Sequence, residues 1–107
     1  MKTLKFEPPL VPLVLDGSKV STWRLFDDKD LSVGDQLEFI NSETGEKFGE
    51  AKIISIKEKK LGEIKESDYE GHEKFGSKEE MIETYKKYNG NKVDTETVVK
   101  MIDFKLL

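Results

Sequence analysis

Residues 97–107, at the end of the chain, carry apolar side chains on both faces of what reads as an extended backbone. Successive side chains of a strand point to opposite sides. The apolar residues here occupy odd and even positions alike, namely Val98, Val99, Met101, Ile102, Phe104 and Leu106. A strand at a solvated surface needs only one apolar face, so this segment predicts a strand at the centre of a sheet.

Other segments supply the partners of this strand. Strands are predicted over residues 3–6, 19–26, 36–40 and 48–57, each with an apolar periodicity of two or an apolar run between turn residues. Residues 10–16 are apolar on nearly all sides and end at Gly17, which is typical of a short, buried helix. Residues 61–66 predict one helical turn. A longer helix begins at Ser77, which has the capping-box spacing to Glu80, and ends at Gly90.

This order of elements predicts an α+β fold. About five strands, paired mostly antiparallel, and two or three short helices pack economically as a small barrel with helices against its openings. The chain of 107 residues is long enough for one domain with one core, spanning residues 1–107.

Composition excludes several classes of site and partner. The chain has no cysteine, so a disulfide and a thiol nucleophile are excluded, and no metal or cofactor is expected. No apolar stretch approaches the roughly 20 residues that span a bilayer, and Glu7 and three prolines interrupt the apolar start, so neither a membrane span nor a signal peptide is expected. The lack of cysteine fits a reducing cytoplasm, and a cytoplasmic monomer is expected. The net charge of -4 argues against a nonspecific grip on long duplexes. A nucleic-acid role must therefore rest on a local site or a small substrate.

The segment from Gly17 to Arg24 carries the densest set of reactive groups. Thr22 and Arg24 share one face of the predicted strand, with Cα atoms roughly 6–7 Å apart. Strict alternation places Lys19 on the opposite face, whereas a bend after Gly17 would turn it into the same cleft. An ammonium, a hydroxyl and a guanidinium together suit an anionic ligand or an oxyanion. The alternative is an ordinary edge strand whose polar residues face water.

Gly17, Lys19, Thr22 and Arg24 together match the pattern Gly-x-Lys-x-x-Thr-x-Arg after a short apolar helix. This pattern resembles the signature of ASCH domains, which belong to the PUA-like superfamily. The turn at residues 33–35 before a strand and the apolar closing strand are also similar to that family. The resemblance implies a β-barrel whose cleft, at these four positions, binds RNA or nucleobase-like ligands.

Some small bacterial members of this family are amidohydrolases that remove the acetyl group of N4-acetylcytidine with a lysine, a threonine and a glutamate. By resemblance these residues are Lys19, Thr22 and Glu73, with Glu70 as the alternative glutamate. Thr22 would attack the acetyl carbonyl, and Lys19 would accept its proton. Glu73 would exchange a proton with the leaving amine or with water. Arg24 would stabilise the oxyanion or bind a phosphate.

Three functions remain open at this point: RNA or nucleoside binding, hydrolysis of an acylated nucleoside, and an interaction domain with a vestigial cleft. His72 is expected to be a solvated loop residue rather than a metal ligand or general base. Trp23, Tyr85 and Tyr88 are expected to pack in the core, although Tyr88 at the helix end has the alternative of presenting its hydroxyl to a cleft. The lysines among residues 57–60 are expected to be solvated.

Overall fold

The structure is a computed structural model, and it describes residues 2–26, 29–69 and 75–107, apart from the side chain of Glu66. Its strands are β1 (Lys2–Phe6), β2 (Ser21–Leu25), β3 (Gln36–Asn41), β4 (Lys47–Lys60) and β5 (Val98–Leu106). Its α-helices are α1 (Val11–Leu15), preceded by a 3₁₀ turn at Pro8–Leu10, and α2 (Lys78–Asn89). Two further 3₁₀ turns follow β4, at Leu61–Glu63 and Glu66–Tyr69. No helix in these ranges is long and apolar enough to cross a membrane.

The five strands form one mixed sheet in the order β1-β3-β4-β5-β2. Of the strand pairs in the described residues, β1–β3 is parallel and the other three are antiparallel. Strand β5 therefore pairs on both sides, with β4 and with β2, so its prediction as a central strand is confirmed. The α+β class is confirmed too, but the sheet curves as a half-barrel, because no backbone pairing joins β1 to β2 among these described strands.

One side of the sheet carries the larger of two apolar cores among the described residues. Its aromatic centre is Phe39, whose ring lies 4.7 Å from that of Phe6 and 4.9 Å from that of Phe104. Leu37, Ile53 and Ile102 are fully buried around it. Each such side chain stabilises the fold by about 1.5–3 kcal/mol relative to an exposed position. This core fixes the positions of β1 and β3 relative to β5.

Helix α2 covers the opposite face of β2 and β5 with a second core. Met81 and Tyr85 of the helix pack with Trp23, Val99 and Met101 of the strands. Among the described strands, β2 pairs with β5 alone. It is nevertheless buried on both faces, since Thr22 points to one side and Trp23 to the other. The alternative of an edge strand with water-facing polar residues is therefore wrong.

Local details differ from the sequence-based expectations for identifiable reasons. Strand β2 begins at Ser21, two residues later than expected. The Ser77 hydroxyl caps α2 by accepting from the Glu80 N–H at 3.1 Å. The Glu80 carboxylate, however, accepts from the Gly76 N–H instead of closing the capping box on Ser77. Lys57 and Lys60 are exposed, as expected for solvated lysines, whereas Lys59 is partly buried. The ion pairs of Lys57 and Lys59 with Asp68, which bear on the site, were not expected.

Candidate functional site

A cleft of about 540 Å³ lies between the two strands that the sheet leaves unpaired with each other. One wall comes from residues 4–7 of β1 and the chain just after it, and the other from residues 22–26 of β2 and the chain just after it. Helix α2 contributes Thr84, Tyr85, Tyr88 and Asn89. The cleft thus occupies the gap in the half-barrel, beside the motif residues Lys19, Thr22 and Arg24.

The turn after α1 brings Lys19 into this cleft. Gly17 adopts a φ of +86°, a conformation that favours glycine, and the Lys19 N–H donates to the Leu13 carbonyl at 2.9 Å. Lys19 lies outside the strand, so strict alternation does not set its direction. Its side chain lines the cleft with Thr22, and both residues are 3% exposed. Gly17 shapes this turn and is not among the described residues that line the cleft.

Thr22 and Arg24 are joined directly. The Arg24 Nε–H donates to the Thr22 hydroxyl oxygen at 3.1 Å. Because this bond occupies a lone pair of the oxygen, the hydroxyl proton must point in another direction. The arrangement leaves Thr22 able to donate a hydrogen bond while a positive charge lies beside its oxygen.

Arg24 also crosses the gap between the unpaired strands. One terminal nitrogen donates to the Lys5 carbonyl on β1 at 2.9 Å, and the guanidinium carbon lies 4.9 Å from the centre of the Phe6 ring. A guanidinium offers donors in several directions, whereas an ammonium is a point charge. The only arginine of the chain therefore links β2 to β1, which no backbone ladder joins in the described part of the chain.

Solved structures of other proteins share this architecture. A crystal structure of an ASCH domain from Lactobacillus crispatus matches 92% of this chain and 70% of its own, with a TM-score of 0.71 and 15% identity. An ASCH structure from Zymomonas mobilis matches 96% of this chain and 65% of its own, with a TM-score of 0.67 and 12% identity. The fold is that of an ASCH domain. The resemblance read from the motif is thus confirmed for the fold.

A solution structure from Pyrococcus furiosus is similar to this chain over nearly its whole length. It matches 99% of this chain and 96% of its own, with a TM-score of 0.65 and 21% identity. No family model and no curated protein matches the sequence. At these identities the likeness concerns the ASCH fold, and the chemistry of this cleft rests on its own residues.

The described lining of the cleft is basic, although the chain is acidic overall. Among the described residues that line it, Lys5, Lys19, Arg24 and Lys29 are basic and Glu7 is acidic. The whole chain carries a net charge of -4. Cationic groups collected in a concave, partly apolar site favour an anionic ligand, because low-dielectric walls strengthen their field. The described lining of the cleft is thus net positive, whereas the whole chain is net negative.

Aromatic side chains form much of the remaining lining. Trp23 and Tyr85 are buried, as expected, and show only part of their surface to the cleft. Tyr88 is 60% exposed, so the expectation that it packs in the core is wrong and the alternative, at the cleft, agrees with the structure. Phe26 is 48% exposed and has a φ of +51°. Its role was not apparent from the sequence, where it reads only as the end of a strand.

The predicted acidic and histidine residues, Glu70, His72 and Glu73, lie outside the described residues. The 3₁₀ turn just before them is firmly held, because the Asp68 carboxylate accepts from Lys57, Lys59 and the Lys65 N–H at 2.8–3.1 Å. The next residue, Tyr69, lies with its ring 5.3 Å from that of Trp23. Asp68 thus anchors the segment that leads from the sheet to the predicted glutamates.

Within the described ranges, no group of three or more carboxylate and histidine side chains is placed to hold a metal ion. The donors that line the cleft are mainly ammonium, guanidinium and hydroxyl groups, which bind anions and carbonyl oxygens.

Proposed function

We propose that this ASCH cleft binds RNA, or a modified nucleoside within it, through Lys19, Thr22 and Arg24. The observation that carries the proposal is that these three side chains line one cleft between basic and aromatic walls. The cleft volume of about 540 Å³ lies within the ordinary range for small-ligand sites. Aromatic walls suit a planar base, and the cations suit a phosphate.

The first prediction concerns the salt dependence of RNA binding. If Lys19, Arg24 and Lys29 each neutralise a phosphate, the affinity for a single-stranded RNA hexamer is expected to fall roughly 10- to 20-fold between 50 and 200 mM salt. Fluorescence anisotropy of a labelled hexamer measures this affinity directly. The Lys29→Ala variant is expected to reduce the slope by about 0.7, the share of one phosphate.

The matched control is Lys105→Ala, which removes an exposed lysine of β5 that does not line the cleft. Its salt slope is expected to equal that of the wild type. Absence of RNA binding at 50 mM salt would exclude the binding proposal, while equal slopes for both variants would remove Lys29 from the contact surface.

A second candidate function is hydrolysis of N4-acetylcytidine, favoured by the burial of Lys19 and Thr22 in the same cleft. The Thr22 oxygen attacks the acetyl carbon, and Lys19 accepts the hydroxyl proton. The bond between that carbon and N4 then breaks, and the amine leaves with a proton. Water finally releases acetate and restores the Thr22 hydroxyl. The Arg24 donor beside Thr22 stabilises the negative charge that develops on the reacting oxygens.

This candidate predicts turnover of N4-acetylcytidine that depends on both residues. Lys19→Ala and Thr22→Ala are each expected to lower kcat/KM about 10²- to 10⁴-fold. This range is the usual contribution of a residue that accepts a proton in the reaction. Thr22→Ser, which keeps a hydroxyl, is expected to retain measurable turnover. Release of cytidine, followed by chromatography, is the measurement. A wild-type protein without turnover rules out this candidate and leaves the binding proposal untouched.

A further inference from the structure

Phe26 occupies a position that the fold alone does not explain. It directly follows β2, and its φ of +51° lies in the left-handed region, where a bulky side chain is rare. The residue is 48% exposed, so burial of apolar surface only partly offsets this strain. Strained conformations of this kind concentrate at functional sites. The backbone at Phe26 thus holds a large ring in water at the cleft.

A cation accompanies this ring. The Lys92 ammonium lies 4.2 Å from the centre of the Phe26 ring, in a cation–π contact. Lys92 is itself exposed and follows α2 in the chain. The contact covers one face of the ring with a positive charge and thereby orients the ring. An aromatic face beside an ammonium suits a base with its neighbouring phosphate.

We propose that Phe26 is a second base-stacking subsite, so that the cleft binds two adjacent nucleotides of an RNA strand rather than one isolated nucleoside. This inference rests on the proposed function, since the first nucleotide occupies the interior beside Thr22 and Arg24. The second base stacks on Phe26 at the mouth. The phosphate between the two nucleosides lies among the basic groups of the cleft and Lys92.

Charge complementarity favours this occupant over an apolar peptide. Phe26 lines a cleft whose described charged residues are four basic and one acidic, and the neighbouring Lys92 adds a further cation. The linking phosphate of an RNA strand brings a negative charge to this basic lining, whereas an apolar ligand brings none. Stacking on an aromatic ring tolerates any base, so this subsite adds affinity rather than sequence specificity.

The test compares two ligands that share the first nucleoside and both phosphates, of which only one carries a second nucleoside. Cytidine 3′,5′-bisphosphate carries both phosphates and one base, and the 5′-phosphorylated dinucleotide of cytidine adds the second base. Calorimetric titration of the wild-type protein is expected to give a dissociation constant about tenfold lower for the dinucleotide. In Phe26→Ala the ratio of the two constants is expected to approach one, and Phe26→Tyr, which keeps a ring, is expected to restore it.

Val33→Ala is the matched control, since Val33 is an exposed apolar residue that does not line the cleft, and it is expected to keep the wild-type ratio. Circular dichroism verifies that each variant is folded. A wild-type ratio near one, with measurable binding of the bisphosphate, overturns the second subsite and leaves the proposed function standing. A tenfold ratio that survives Phe26→Ala also overturns it. Failure of both ligands to bind overturns both proposals.

Discussion

Arg24→Ala is expected to lower the free energy of unfolding by about 2–3 kcal/mol, from two hydrogen bonds of a charged donor and one cation–π contact. Those interactions join Arg24 to Thr22, to the Lys5 carbonyl and to the Phe6 ring. The loss is large because β1 and β2 are not paired with each other. Urea unfolding measures the change, and the melting temperature is expected to fall by roughly 10–20 °C.

Arg24→Lys distinguishes the geometry of the guanidinium from its charge. A lysine ammonium keeps the charge but cannot donate from two separate nitrogens to Thr22 and across the gap to Lys5. We expect it to recover less than half of the lost stability. Full recovery by lysine would show that charge alone matters here. Lys105→Ala, an exposed substitution outside the gap, is expected to change stability by less than about 0.5 kcal/mol.

Arg24→Ala is also expected to abolish RNA binding, and the two effects can be separated. Binding is measured well below the melting temperature of the variant, where it remains folded. At that temperature the unfolded fraction is negligible, so a loss of affinity shows that the substitution changes the cleft. Retained affinity in folded Arg24→Ala would restrict the arginine to a structural role between β1 and β2.

The strands and the motif could be predicted because they depend on local patterns. The two apolar faces of β5 are visible in the sequence, and burial of both faces requires a neighbour on each side. Ser77 and Gly90 mark the ends of α2 through capping chemistry that spans a few residues. The motif predicted Lys19, Thr22 and Arg24 as site residues, and all three line one cleft in the structure.

The features that escaped prediction depend on contacts between distant segments. The direction of Lys19 is set by its N–H bond to Leu13, which periodicity along a strand does not encode. The open side of the half-barrel follows from the pairing of β1 with β3 alone, which is a matter of topology. A lysine-rich strand end reads as solvated, and only the fold shows that Asp68 returns to meet it.

Asp68 is expected to make the free energy of unfolding sensitive to acid. Its side chain is 3% exposed and accepts from Lys57, Lys59 and the Lys65 N–H. Burial raises the pKa of this carboxyl, but the Lys65 N–H and the Lys59 and Lys57 ammonium groups outweigh burial and lower the pKa to about 2. The carboxylate therefore stabilises the folded state wherever it is ionised.

The sign of the pH dependence follows from the lowered pKa. The stabilisation, about 2 kcal/mol, is fully present above the ordinary value of 3.8 and is lost as the pH falls toward the folded value of about 2. We expect Asp68→Asn, which keeps the shape but not the charge, to be less stable by about this amount at pH 7. Urea unfolding from pH 7 to pH 2 should show the difference from wild type shrinking below about pH 4, with most of it gone near pH 2.

The control for this series is Glu43→Gln, which removes an exposed carboxylate in the turn between β3 and β4 and is expected to follow the wild-type curve. A constant difference between wild type and Asp68→Asn across this range would contradict the ion-pair explanation. Because Asp68 precedes Tyr69, which lies against Trp23 at the cleft, its loss should also weaken RNA binding at pH 7. Asp68 does not line that cleft, so this weakening would show that it positions the segment leading to the site.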